Sequence, residues 1–236
     1  MARTRETPPG THEARGEPGL LSLVALTSAL GVIAMLLALD VVTFAYRRMG
    51  VGEAVVVPLL FASIVGSLID VPIARTRGTR VVSRTAVEAY GRRYLIPTVV
   101  HTDTIIAINV GGAIIPSGLA VYLLLRDHQL VRTLVALAIV TIAVHGLARA
   151  VPGVGIEVPA LAPPMVAAAV ALALAGHDAA PIAYIAGTLG TLLGADLLNM
   201  GKVRALAAPV ASIGGGGTFD GVFLTGVVAV VLVVAL

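Results

Sequence analysis

Nine residues of this chain carry chemistry inside otherwise apolar stretches: Asp40, Asp70, His101, Asp103, Asn109, His145, Asp196, Asn199 and Asp220. A charged or amide side chain in hydrocarbon costs several kcal/mol, so it persists where it faces protein, water or the interface. Asp196 and Asp220 stand in glycine-rich surroundings, Gly190-Thr-Leu-Leu-Gly-Ala-Asp196 and Gly217-Thr-Phe-Asp-Gly221. Two carboxylates near one another cannot both ionise cheaply, which suits either cation binding or a shared-proton dyad. Asp70 precedes Val71-Pro72 and an arginine-rich loop, and reads as a helix-end carboxylate at the interface. His101-Thr-Asp103 would let a carboxylate orient an imidazole, but positions i and i+2 do not face each other on a helix. That pairing needs the irregular backbone Pro97 could supply; otherwise Thr102 or Asp103 caps a helix start. His145 reads as a packing histidine. No His/Glu spacing resembles a zinc site, so no metal and no cofactor is expected, and the absence of cysteine excludes thiolate ligands and nucleophiles.

The glycines around these residues are equally informative. Ser212-Ile-Gly-Gly-Gly-Gly-Thr218 places four glycines together, each costing about 1 kcal/mol against Ala in a helix. They serve either close backbone approach or a broken helix with free amides. Thr218 would cap the last helix, with Asp220 in its first turn favoured by the macrodipole. A similar tract, Asn109-Val-Gly-Gly-Ala-Ile-Ile-Pro-Ser-Gly118, matches it at an offset of 103, pairing Gly111 with Gly214, Gly112 with Gly215 and Gly118 with Gly221. Residues 20–125 and 159–236 therefore read either as parallel repeats or as a recurrence of glycines common in any membrane helix.

The elements that must position these groups follow from composition. Of 236 residues, 58% are hydrophobic and 12% charged, with a mean hydropathy of +0.99. Too little polar surface exists to wet a globule, which excludes an ordinary cytosolic enzyme, a disordered chain and a nucleic-acid binder. Residues 1–19 form a polar tail, and 20–236 one integral membrane domain. Seven apolar stretches approach the roughly 20 residues a crossing helix needs: Leu20–Tyr46, Val51–Ile73, Leu95–Leu125, Thr133–Ala150, Pro159–Ala175, Pro181–Met200 and Thr218–Leu236. The expected fold is all-α, a polytopic bundle of about seven transmembrane helices. Leu95–Leu125, broken by Pro97, Gly111, Gly112, Pro116 and Gly118, is the candidate re-entrant segment. Arginine asymmetry sets the orientation. With the N-terminus inside, inner segments hold twelve basic residues and outer segments four, six of the twelve lying between Arg75 and Arg93. The chain is thus expected in a cell (inner or plasma) membrane with its N-terminus cytoplasmic and its C-terminus outside.

The segments Asn109–Ser117, Val158–Pro164, Tyr184–Asn199 and Pro209–Phe223 together resemble an uncharacterised family of prokaryotic polytopic membrane proteins, a domain of unknown function. That resemblance implies membrane residence and no particular activity. A second, partial likeness is to aspartyl intramembrane proteases of the presenilin and prepilin-peptidase type, which use two aspartates on neighbouring helices. It rests on Asp196, on Gly217-Thr-Phe-Asp-Gly-Val-Phe223 and on Pro159-Ala-Leu161, and implies Asp196 and Asp220 as the catalytic pair. Phe219 stands where that family has glycine, and the Pro-Ala-Leu precedes both aspartates instead of following them.

Three functions compete. The leading one is a small carrier or channel-like transporter in which Asp103, Asn109, Asp196, Asn199, Gly214, Gly215 and Asp220 line a path for a proton or cation. An aspartyl protease and a non-transporting assembly subunit are the alternatives, so an enzyme is the less favoured class. The expected partners are the lipid bilayer, that proton or cation, and a second copy in a homo-oligomer, with no nucleic acid.

Overall fold

The computed structural model describes residues 20–89, 92–151, 155–203, 210–215 and 221–236. The chain divides into two compact units, Met1–Asp40 and Val41–Leu236. Within the first, the described residues are helical throughout and belong to α1 (Leu20–Arg48). The second holds all the other elements.

The second unit is built around α6 (Ala179–Thr191), of whose thirteen residues eleven are buried. Its neighbours are α3 (Ile115–Leu125), α4 (Leu130–Leu147), α5 (Ala162–Ala175) and α7 (Gly221–Ala235). The sequence of α6, AAPIAYIAGTLGT, explains its place. Small residues let neighbouring backbones close in where large ones would hold them apart. A Cβ on Gly190 would meet Val140 at 2.8 Å, and one on Gly187 would meet the Thr225 carbonyl at 3.3 Å. Tyr184 fills the remaining volume against Tyr46, ring centroids 6.2 Å apart and planes tilted by 59°.

Large apolar side chains point the other way. Phe61 of α2 (Glu53–Gly66) is 68% exposed, and Val131 and Ile142 of α4 are 75% and 72% exposed. Small and hydroxyl side chains inside with bulky apolar ones outside is the pattern of helices packed in lipid, where the core has no hydrophobic advantage over the surroundings. Among the described residues, three helical stretches are long and apolar enough to cross a membrane: Leu30–Arg48, Leu130–Leu147 and Ala162–Lys202. Within the last, Gly176 at φ +54° ends α5, and a 3-10 turn leads into α6, which packs back on α5.

The chain is mostly helical, as expected, but the all-α expectation fails between residues 70 and 109. Val51–Ile73 is a helix only as far as Gly66, and the first half of Leu95–Leu125 is not helical. Instead β1 (Asp70–Ala89) and β2 (Arg92–Asn109) form a long antiparallel hairpin, with register irregularities at Pro72/Ala74 and Val81/Ser83. The reason is local: β-branched Val, Ile and Thr recur through both strands, and such side chains lose rotamer freedom in a helix but suit a pleated surface. Apolar length alone does not distinguish the two. A small antiparallel pair, β3 (Arg149–Val151) and β4 (Gly155–Glu157), follows α4. A short strand, β5 (Val210–Ile213), pairs in parallel with β2 over Ile105–Ile108.

Candidate functional site

The end of the three-stranded sheet meets the helices at a cluster of polar groups. Asn109 is the last residue of β2 and the N-cap of the π-helical turn Val110–Ile114 that opens into α3. Its Oδ1 accepts from the Gly112 N–H at 2.8 Å, satisfying a donor that the helix start would otherwise leave unpaired. Its Nδ2 donates to the Ser67 carbonyl at 2.8 Å and to Asp70 Oδ1 at 3.1 Å. One buried amide thus ties β2, α3 and the end of α2 together. Gly111 makes this junction possible, because its α-carbon lies against the backbone of Ser63, Gly66 and Ser67 with no room for a Cβ.

Asp70 receives a second donor from across the sheet. The Ser212 hydroxyl of β5 donates to the same Oδ1 at 2.5 Å. Two residues on, Gly214 turns the chain at φ +69°, a conformation costly for any residue with a Cβ. Its N–H donates to Asp196 Oδ2 at 2.8 Å. Asp196 reaches this point because α6 is prolonged by a π-helical turn, Leu192–Asp196, and then a 3-10 turn, Leu197–Lys202. A π turn shifts every following side chain around the helix, and such turns recur at functional sites. Gly194 lets this widened turn sit on α4, where a Cβ would meet the Thr141 carbonyl at 2.5 Å. Asn199 then braces it: its Nδ2 donates to the carbonyls of Gly194 at 2.9 Å and Ala195 at 3.0 Å. With both amide hydrogens used there, His145 Nδ1 is left to donate to the Gly194 carbonyl, 3.3 Å away.

The two carboxylates share a cavity of about 1120 Å³, whose wall includes Asp70, Asp196, Ser212 and Gly214. Apolar residues such as Ile106, Val158, Met200 and Val222 supply much of the remainder. Arg149 and Glu157, opposite each other in the β3–β4 register, also border it. Among the described residues neither Asp70 nor Asp196 has a basic partner; the one ion pair there joins Arg47 to Glu53 at 3.0 Å. Asp70 and Asp196 each have one oxygen held and, among the described residues, one free.

Of the residues expected to form a site, Asn109, Asp196, Gly214 and Gly215 are brought together here, Asn109 as a brace between elements. Asn199 supports Asp196 from behind. Asp103 is separate: it is exposed on β2, opposite Arg77 in register, and does not border the cavity. Its hairpin setting, not a helix start, separates it from Asp70 and Asp196 at the cavity. Asp220 lies outside the described residues, as do residues 1–19 and Thr218. The backbone of His101 lies in β2 opposite Thr79. Asp70, which reads from sequence as an interfacial helix end, is the functional candidate missed. The signal that could have found it is its apolar setting, Ile69-Asp70-Val71, with no basic residue before Arg75. Among the described residues no group of three His, Asp or Glu side chains is placed to hold a metal ion.

The family model of a protein of unknown function, DUF1614, matches residues 64–232. No curated protein and no solved structure matches the chain.

Proposed function

Since the chain belongs to the DUF1614 family of unknown function, we propose its role from the site itself: an integral membrane carrier that binds a cation between Asp70 and Asp196. The observation that carries this is the cavity of about 1120 Å³ whose described wall holds three carboxylates, Asp70, Glu157 and Asp196, against one basic side chain, Arg149. Asp196 is half-buried and so attracts a cation more strongly than a fully solvated carboxylate does, and Asp70, itself exposed, adds a second negative charge to the same wall. The irregular backbone at Gly214 and Gly215 also borders the cavity, as broken segments in carriers border their sites.

Seven crossings are retained in this proposal, with the β-hairpin outside the hydrocarbon. Open sheet edges do not occur in lipid. The C-terminal end of α2 and the start of the Val110–Leu125 helix touch, Gly66 against Gly111, so the hairpin leaves and returns at one level. The six arginines between Arg75 and Arg93 favour the cytoplasmic side for that level, with Leu236 outside. A reporter active only outside should signal after Leu236 and stay silent within Arg75–Arg93.

The function is tested in proteoliposomes with a panel of inorganic and organic cations and a pH-sensitive dye. Asp196→Asn and Asp70→Asn should each reduce uptake at least about tenfold, the loss of one charge-assisted contact. Unchanged flux in both variants across the panel would sink the carrier reading.

A further inference from the structure

The cavity's free groups say more about the cation than its charge. The wall also holds Thr191, at the end of α6, only 4% exposed, whose hydroxyl has no hydrogen-bond partner. A threonine in a helix ordinarily satisfies its hydroxyl on the carbonyl one turn back. Here the π turn begins at the next residue, Leu192. An orphaned buried hydroxyl costs roughly 1–3 kcal/mol, and it borders the space that Asp70 and Asp196 also border. The described wall thus offers as acceptors the carboxylates of Asp70, Asp196 and Glu157 and the Thr191 hydroxyl, against one basic side chain, Arg149.

Three classes of cation fit a negative cavity, and the wall separates them. A hard metal ion wants six to eight oxygens at about 2.3–2.6 Å, and among the described residues no group of three His, Asp or Glu side chains is placed to supply them. A quaternary ammonium has no N–H to donate and is held by aromatic faces. The described wall has none: its apolar part is Ile, Val, Leu, Met, Pro and Ala. A primary ammonium has three N–H donors, and an alkyl group attached to it would lie on the apolar wall. We propose that this cavity recognises a small primary alkylammonium ion, its N–H groups shared among Asp70, Asp196 and Thr191 and its carbon chain against the aliphatic side chains. This rests on the cation-binding role proposed for the same cavity and narrows it to a chemical class.

The test uses the full chain in nanodiscs and isothermal titration with n-butylamine, n-butanol, tetramethylammonium, sodium and calcium. Butylamine should bind, while butanol, of the same length without charge, and tetramethylammonium, charged without N–H, should bind at least about tenfold more weakly. Asp196→Asn should raise the butylamine Kd at least about tenfold, and Thr191→Val should raise it about threefold to tenfold without altering the weak response to tetramethylammonium. Because the ligand series is run on the unaltered chain, the proposal stays falsifiable even where a variant does not fold. Butylamine binding no better than butanol or tetramethylammonium overturns it. If sodium or calcium binds in an Asp196-dependent way and butylamine does not, the ammonium assignment falls and the carrier reading stands. If no cation binds, both fall.

Discussion

The two strand-to-helix junctions begin alike and end differently. β2 and β5 run parallel, Ile108 beside Ile213, and each strand then meets a glycine-rich turn before a helix. After Ile108 comes Asn109, whose own side chain caps the next helix and ties down α2. After Ile213 comes Gly214, which has no side chain to offer, and its N–H is taken by Asp196 from the end of α6. A cap supplied by the neighbouring residue closes a junction. A cap imported as a carboxylate brings a charge and a second, free oxygen to the same spot. That difference explains why the first junction is purely structural while the second opens onto the cavity.

Substitutions at the two junctions should separate these roles. The largest effect is expected at Gly111. An alanine Cβ there would run into the backbone of Ser63, Gly66 and Ser67, and rigid backbone cannot give. Gly111→Ala should cost about 3 kcal/mol or more, read as a lower unfolding midpoint in an SDS titration of the protein in mixed micelles. A variant as stable as the parent would mean that α2 and α3 do not approach as described.

Gly214→Ala combines the positive φ with contact on the Ala113 backbone nitrogen at 2.9 Å. It should lose about 2 kcal/mol in the same titration. Asn109→Ala removes the cap and both amide donations, and about 1.5 kcal/mol is expected. Hydrogen exchange should localise that loss to the amides of residues 110–112; a uniform change along the chain would contradict a local cap. Asp196 should divide stability from function. Asp196→Ala strands the Gly214 N–H and costs about 1 kcal/mol, whereas Asp196→Asn keeps an acceptor oxygen and stays within about 0.5 kcal/mol of the parent. An equal loss in both would show that charge, not the hydrogen bond, holds the second junction. The smallest effect belongs to Gly118, inside α3, where a Cβ meets nothing within 4 Å. Gly118→Ala should leave stability unchanged or raise it by up to about 1 kcal/mol, which makes it the control for the other glycines.

Parts of this arrangement are legible residue by residue. A glycine pair after Asn109 and four glycines after Ile213 cannot serve helix propensity, so tight approach or a turn is readable there. Asp196 is readable as well, from its glycine-rich approach. The hairpin is harder. Polar runs such as Arg75-Thr-Arg77 and Thr102-Asp-Thr104 interrupt stretches dense in Val, Ile and Thr, yet a window that sums apolarity reads Leu95–Leu125 as one span. The π turn at Leu192–Asp196 has no sequence signature comparable to proline or a cap, since it depends on Gly194 meeting α4.

Composition and near neighbours are enough to dictate apolar helices long enough to cross a membrane, the glycine-rich breaks, and the polar residues within them. These are local or summed properties, independent of how distant segments meet. Which carboxylates share a space is instead settled by long-range packing. The Ser212–Asp70 hydrogen bond joins residues 142 positions apart, and it exists because β5 takes the free edge of β2 in the register that sets Ile213 beside Ile108. Shifting that register by one residue would turn every side chain of β5 to the opposite face, Ser212 away from Asp70 included. Such a register rests on the pairing of two strands and the packing of a helix end, neither of which either segment encodes alone.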